Sequence, residues 1–251
     1  MIPSANWILR RGGARLWQVS AQQPLVMGIL NCTPDSFHAS SRIGDEASLL
    51  HRAEAMLSAG ADILDIGAVS TRPDAPQVSE ADEWTRLETP LRALLRAFPQ
   101  ALVSVDTFRA GIAQRAADLG VSIINDVTGG DEAIWSVVAQ YGLTYILTHL
   151  RGQLQNMQQF AEYADVTIEV YDYFRQKLDA LASVGVYDVV LDVGFGFAKT
   201  AAHNYQLLRQ LSAFSSLNCP MLVGVSRKSM IYRPLQISPE ESLSATTALH
   251  L

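Results

Sequence analysis

Short runs of Val, Ile and Leu recur along the chain, each followed by a longer stretch in which apolar residues return every three or four positions. Near-continuous hydrophobicity over four to six residues predicts strands buried on both faces, and the 3.6-residue period predicts helices with one apolar face. The predicted strands are Leu25–Leu30, Ile63–Gly67, Leu102–Val105, Ser122–Asn125, Tyr145–Leu147, Val189–Asp192 and Met221–Val225. The clearest helices are Ala47–Ala59, Glu80–Phe98, Ala110–Leu119, Glu132–Tyr141 and Asp165–Val184. Stop signals such as Ser58-Ala59-Gly60 and Asp118-Leu119-Gly120 close them. Ahead of the first run, Trp7-Ile8-Leu9, the turn Arg11-Gly12-Gly13-Ala14 and the return Leu16, Trp17, Val19 predict an N-terminal β-hairpin within residues 1–20.

Strands of this kind, linked by helices, must run parallel. Two α/β architectures satisfy that: an eight-stranded (β/α)8 TIM barrel and a doubly wound open sheet. A doubly wound sheet normally carries a glycine-rich turn after its first strand, and Asn31-Cys32-Thr33-Pro34 is not one. The barrel is favoured, as a single domain over residues 1–251.

Composition narrows the setting. Apolar residues make up 49% of the chain and charged ones 18%, a balance suited to a well-buried sheet. No apolar stretch is long enough to cross a bilayer, and the opening MIPSANWILRR lacks the order of a signal peptide, so a cytoplasmic protein with no membrane partner is expected. A net charge of −6 without clustered basic residues argues against nucleic acid. Cys32 and Cys219 have no metal-ligand spacing and read as reduced thiols.

Catalytic groups of such barrels sit at the carboxyl ends of the strands. Those positions are polar here: Asn31, Asp65, Asp106-Thr107, Asn125-Asp126, His149, Asp192 and Ser226-Arg227-Lys228-Ser229. Any one could cap a helix or make a turn, but capping does not call for an acid or amide at the final strand position itself. Asp65, Asp106, Asn125 and Asp192 should converge near the barrel axis, where buried carboxylates need partners and a heterocycle with several N–H donors would supply them. Asn31 can offer an oxygen to a cation or an amide to a phosphate. Arg72, Arg227 and Lys228 bring positive charge to the same mouth, and Gly194-Phe195-Gly196-Phe197 offers flat faces for a planar ligand. A lone strand-end histidine is more often structural, and His149 is read so.

These segments together resemble the dihydropteroate synthase family. The match is carried by Met27 to Phe37, Asp65-Ile66-Gly67 with Ser70-Thr71-Arg72-Pro73, Ser104-Val105-Asp106-Thr107, Ile124-Asn125-Asp126-Val127, Asp192 with Gly194 to Phe197, and Gly224 to Ser229. The resemblance implies a (β/α)8 barrel that joins 7,8-dihydropterin-6-ylmethyl diphosphate to 4-aminobenzoate and releases diphosphate. It implies that Asp106, Asn125, Asp192 and Lys228 hold the pterin, with Asp106, Asp192 and Lys228 taking part in catalysis and Asp65 supporting that end. Asn31 would work with Mg2+ and the diphosphate. Thr71, Arg72, Pro73, Phe197 and Ser226 would shape the aminobenzoate side, under a lid holding Asp35 and Phe37. A homodimer is a further expectation of the family.

The sequence departs from the family at Val193, at Ala198 where glycine is common, and at Thr148 and Leu150 where methionines are frequent. The family's eighth strand, with an Arg-x-His pair for the diphosphate, has no counterpart before Leu251. Two alternatives therefore accompany the synthase: a catalytically impaired pterin-binding module or paralogue, and a methyltetrahydrofolate-binding methyltransferase domain. The Asn31 loop and Ser70 to Pro73 count against the methyltransferase.

Overall fold

The computed structural model describes residues 7–11, 15–19, 24–32, 42–69 and 78–250. Strands β1 (Trp7–Arg11) and β2 (Arg15–Val19) pair antiparallel, Trp7 opposite Val19. Seven parallel strands follow: β3 (Met27–Asn31), β4 (Ile63–Gly67), β5 (Leu102–Asp106), β6 (Ile123–Asp126), β7 (Thr144–Thr148), β8 (Val189–Asp192) and β9 (Met221–Leu222). Each lies beside the next in chain order, and the sheet curls into a half-barrel.

The helices are α1 (Arg42–Ser58), α2 (Glu80–Ala97), α3 (Ala110–Leu119), α4 (Glu132–Tyr141), α5 (Val166–Ser183), α6 (Ala201–Arg209), α7 (Ser229–Leu235) and α8 (Leu243–His250). Their starts are set by dedicated caps. Ser79, Asp131 and Asp165 accept backbone N–H groups at the heads of α2, α4 and α5, and Thr200 forms a capping box with His203 on α6. Gly120 and Gly142 close α3 and α4 in left-handed geometry. Among the described residues, no helix is long and apolar enough to cross a membrane.

The expected strands and helices recur with small shifts. The exception is the last strand, expected over Met221–Val225 but only two residues long. β8 ends at Asp192, which pairs with Leu222, so the residues after it meet no ladder on that side.

Two apolar layers result from the period of two along each strand. Outward residues, including Leu64, Ile66, Val103, Val105, Ile124, Tyr145, Leu147 and Leu191, join Leu87, Leu91, Ile112, Ile134, Val170 and Phe174 of the helices in the main core. Inward residues Ile63, Leu102, Ile123 and Ile146, with Met27, Val190 and Leu222, form a separate plug inside the curl. Each fully buried Leu or Ile contributes about 1.5–3 kcal/mol, so this double layer is what holds the strand ends in register.

One charged group is buried in the helical layer. Glu83 of α2 is 1% exposed; it accepts from Thr107 Oγ1 at 2.7 Å and pairs with the Arg109 guanidinium, which also donates to the Val78 carbonyl. The pair ties the start of α2 to the loop after β5. Arg109→Met strands the Glu83 charge and is expected to cost about 3–5 kcal/mol. Adding Glu83→Leu should recover most of that loss; urea unfolding of the single and double variants measures both.

Candidate active site

Above the inner apolar plug, the same alternation turns polar. Counting by twos from Ile63, Leu102, Ile123, Ile146 and Val190 reaches Asp65 and Gly67, Ser104 and Asp106, Asn125, Thr148 and Asp192. All of these therefore face the interior at the carboxyl end of the sheet. Three carboxylates and an amide occupy one small layer, over a floor that offers no charge to balance them.

Asp65 is 3% exposed and accepts from Asn125 Nδ2 at 3.2 Å. That bond fixes the orientation of the Asn125 amide. Burial raises the Asp65 pKa, and the hydrogen bond from Asn125 opposes it. Its other oxygen, Oδ1, has no hydrogen-bond partner among the described residues, and neither do Ser104 Oγ and Thr148 Oγ1.

Asp106 is the least compensated group. Burial holds its carboxyl well above the usual carboxylate range, and Asp65, Asp126 and Glu83 add negative neighbours that push the same way. Gly67 makes room for it, since a Cβ there would stand 3.1 Å from the Asp106 Cβ.

Asp192 accepts from the Gly194 N–H at 2.8 Å. Its pKa is raised by burial and drawn back by Lys228, Gly194 and Lys199. Lys228 donates to the Phe195 carbonyl, and its Nζ stands 5.3 Å from the centre of the Phe197 ring. Burial lowers the Lys228 pKa, opposed by Asp192. The chain reaches this placement through Arg227, whose φ is +50° and whose N–H donates to the buried Thr246 hydroxyl of α8 at 3.1 Å. A left-handed non-glycine residue at this point is backbone strain held by its surroundings.

The two rings after Asp192 separate. Phe195 is fully buried in the core, whereas Phe197 is half-buried beside Lys228. Gly194 opens the turn that holds both: its φ is +69°, and a Cβ would come within 2.2 Å of the His149 carbonyl oxygen.

Asp126, adjacent to Asn125, points the other way. It accepts from Thr128 N and Oγ1, both at 2.7 Å, and from Tyr145 OH at 2.9 Å, and Tyr145 accepts from Trp135 Nε1 at 3.3 Å. Asp126 is a turn former on the helix side, which is the capping role that the strand-end pattern allowed. Asn31 ends β3 opposite Gly67 and is exposed, as is Ser226. Thr71, Arg72, Pro73, Asp35 and Phe37 lie outside the described residues. Cys32 is buried, with its thiol pushed up to about 12, and is inert.

One buried group escaped the sequence reading. Lys199 is 4% exposed and donates to His149 Nδ1 at 2.8 Å and to the Phe197 carbonyl at 3.0 Å. His149 is pushed down to about 2 by burial, Lys199 and Arg151, so it is a neutral imidazole accepting through Nδ1. The structural role expected of His149 fits this geometry. A lysine two residues after an aromatic carries no signal by itself; its burial depends on the turn that precedes it.

Comparison with known proteins agrees with this geometry. Residues 27–251 match a family described as pterin binding enzyme. The chain is 39% identical over 228 residues to the dihydropteroate synthase of Escherichia coli, covering 90% of this chain and 80% of that one. It is 41% identical to the Synechocystis enzyme of the same name over 228 residues, 89% of this chain and 78% of the other. The Yersinia pestis dihydropteroate synthase, solved in complex with a sulfonamide drug, superposes with a TM-score of 0.87 at 37% identity, over 96% of this chain and 88% of that one. The Thermus thermophilus enzyme, solved with 4-aminobenzoate, gives 0.83 at 36% identity, over 98% and 88%.

Two outcomes follow from the site's energetics. Ala198 has a φ of +49°. Left-handed geometry costs a non-glycine residue about 1–2 kcal/mol, and glycine loses part of that gain through its freer unfolded chain. Ala198→Gly should thus stabilise the protein by about 0.5–1 kcal/mol in urea unfolding. Asp106 has a folded pKa above its unfolded one, so its ionisation opposes folding increasingly as pH rises through the folded pKa. Asp106→Asn is expected to raise the melting temperature by a few degrees at pH near 8, with the gain fading as pH falls toward about 4.

Proposed function

We infer how the strand ends divide the work from one premise: the chain belongs to the pterin-binding enzyme family, in its dihydropteroate synthase branch. It condenses 7,8-dihydropterin-6-ylmethyl diphosphate with 4-aminobenzoate to give 7,8-dihydropteroate and diphosphate. The observation that carries the residue assignment is the inward polar layer, in which Asp106 has three negative neighbours and, among the described residues, no compensating cation. The N–H edge of a pterin satisfies such a layer; an anionic ligand would not.

In this reading Asp106, Asn125 and Asp192 grip the heterocycle and Lys228 completes the ring of contacts, with Asp65 holding the Asn125 amide. The bond from Asn125 Nδ2 to Asp65 supports that order. The arylamine nitrogen then forms a bond to the pterin methylene carbon as the carbon–oxygen bond to diphosphate breaks. The electron pair leaves with the diphosphate, and the amine gives up a proton. Carboxylates facing the ring favour the electron-poor methylene in the transition state. No nucleophilic side chain is required, and the site's polar groups are acceptors and cations rather than an activated Ser or Cys.

Phe197 and Ser226 form the aminobenzoate side with Thr71, Arg72 and Pro73, beneath the lid of Asp35 and Phe37. The half-buried Phe197 ring against Lys228 supports its part; the loop residues rest on the sequence match. Among the described residues no group of three His, Cys, Asp or Glu could hold a metal. Asn31, exposed at the end of β3, would offer an oxygen to a Mg2+ ion accompanying the diphosphate. When bound, the ion offsets charge growing on the departing diphosphate. A single (β/α)8 barrel domain, a cytosolic setting and a homodimer complete the reading; the seven-stranded half-barrel supports the first.

Diphosphate release measured with and without 4-aminobenzoate tests the activity. Release that depends on the amine is expected; retained pterin binding with no release would instead favour a binding module. Phe197→Ala should raise the KM for 4-aminobenzoate roughly tenfold through loss of ring contact, with a smaller change in pterin affinity.

A further inference from the structure

Glu83 is a buried carboxylate on the helical side of the sheet, outside the polar strand ends, and both of its oxygens are taken. Oε1 accepts from Thr107 Oγ1 at 2.7 Å, and Oε2 pairs with the Arg109 guanidinium. Thr107 Oγ1 in turn accepts from the Arg109 backbone N–H at 3.2 Å, and the Thr107 N–H donates to the Asn125 backbone carbonyl at 3.0 Å. That last bond carries the β5–β6 ladder one residue past the Asp106–Asn125 register pair. Thr107 follows Asp106, so it faces the helices while Asp106 faces the interior. Helix α2 gives Glu83 a firm base: Ser79 caps it, Leu87, Leu91 and Leu94 are fully buried, and Arg86 donates to the Ala68 carbonyl, just past β4, at 3.4 Å.

A buried ion pair contributes little stability over apolar residues of similar volume, because desolvation offsets its attraction. What it adds is direction: a charge-assisted hydrogen bond holds Thr107 at one distance and angle, where an apolar neighbour would let the strand end shift. We propose that Glu83 is a positioning residue for pterin binding, fixing the junction of β5 and β6 through Thr107 so that Asp106 and Asn125 meet the heterocycle together. The proposal rests on the reading of those two residues as pterin ligands. Thr107 reaches both, Asp106 through the chain and Asn125 through its backbone carbonyl. Asn125 is thus held twice, its side chain by Asp65 from within the curl and its backbone by Thr107.

Stability and position come apart in the double variant Glu83→Leu with Arg109→Met. It has no stranded charge and should regain its resistance to urea, yet its Thr107 hydroxyl has lost the carboxylate that directs it. Calorimetry with 6-hydroxymethylpterin, a probe that needs neither diphosphate nor metal, should therefore show affinity about tenfold below that of the unaltered protein. A second pair of variants leaves Glu83 and Arg109 in place. Thr107→Val keeps the volume and removes the hydroxyl, so it should show a comparable loss; Thr107→Ser keeps the hydroxyl and should bind within about twofold of the unaltered protein. A double variant that regains both stability and pterin affinity would mean that the pair serves stability alone, and would overturn the proposal. Equal affinities for Thr107→Val and Thr107→Ser would do the same. Failure of the unaltered protein to bind the pterin would strike the functional reading, and the proposal with it, whereas the variant outcomes concern Glu83 and Thr107 alone.

Discussion

The structure turns on the cost of placing ionisable carboxyls where water is scarce. Asp65, Asp106 and Asp192 all occupy inward positions of parallel strands, and burial raises the pKa of each. Their partners are few: Asn125 for Asp65, Gly194 and two lysines for Asp192, and none among the described residues for Asp106. A layer of this kind is tolerated because the double apolar core, outside and inside the sheet, supplies stability enough to hold it.

That imbalance is also what makes the site selective. An acceptor-rich layer with a carboxyl left unmatched among the described residues favours a ligand that brings N–H donors over an anion that brings none. Among the described residues, the cations beside Asp192 are Lys228 and Lys199, toward β8 and the turn after it. Phe197 stands half-buried beside Lys228, and Phe195 is withdrawn into the core.

Of the four left-handed non-glycine residues among those described, two lie at the same place. Ala198 and Arg227 adopt left-handed conformations, one leading into Lys199 and the other into Lys228. Each strained residue aims a long cationic side chain inward that an ordinary turn would leave in water. Thr246 of α8 secures the second, which gives that short helix a part in the site without any contact to the reacting groups.

Much of this was legible from the order of residues. Apolar runs located all seven parallel strands, because a strand buried on both faces leaves a signal that needs no context. Asp65, Asp106, Asn125 and Asp192 were identified as convergent because a carboxyl or amide at the final strand position has no local use. Tertiary structure decided the rest. It turned Asp126 outward to Tyr145, since a one-residue step on a strand reverses the face, and the outward position happened to meet a hydroxyl. It shortened the last strand, because a ladder needs a partner of equal length. It also buried Lys199 against His149, fifty residues away, a pairing set by the approach of two strand ends that no local pattern encodes.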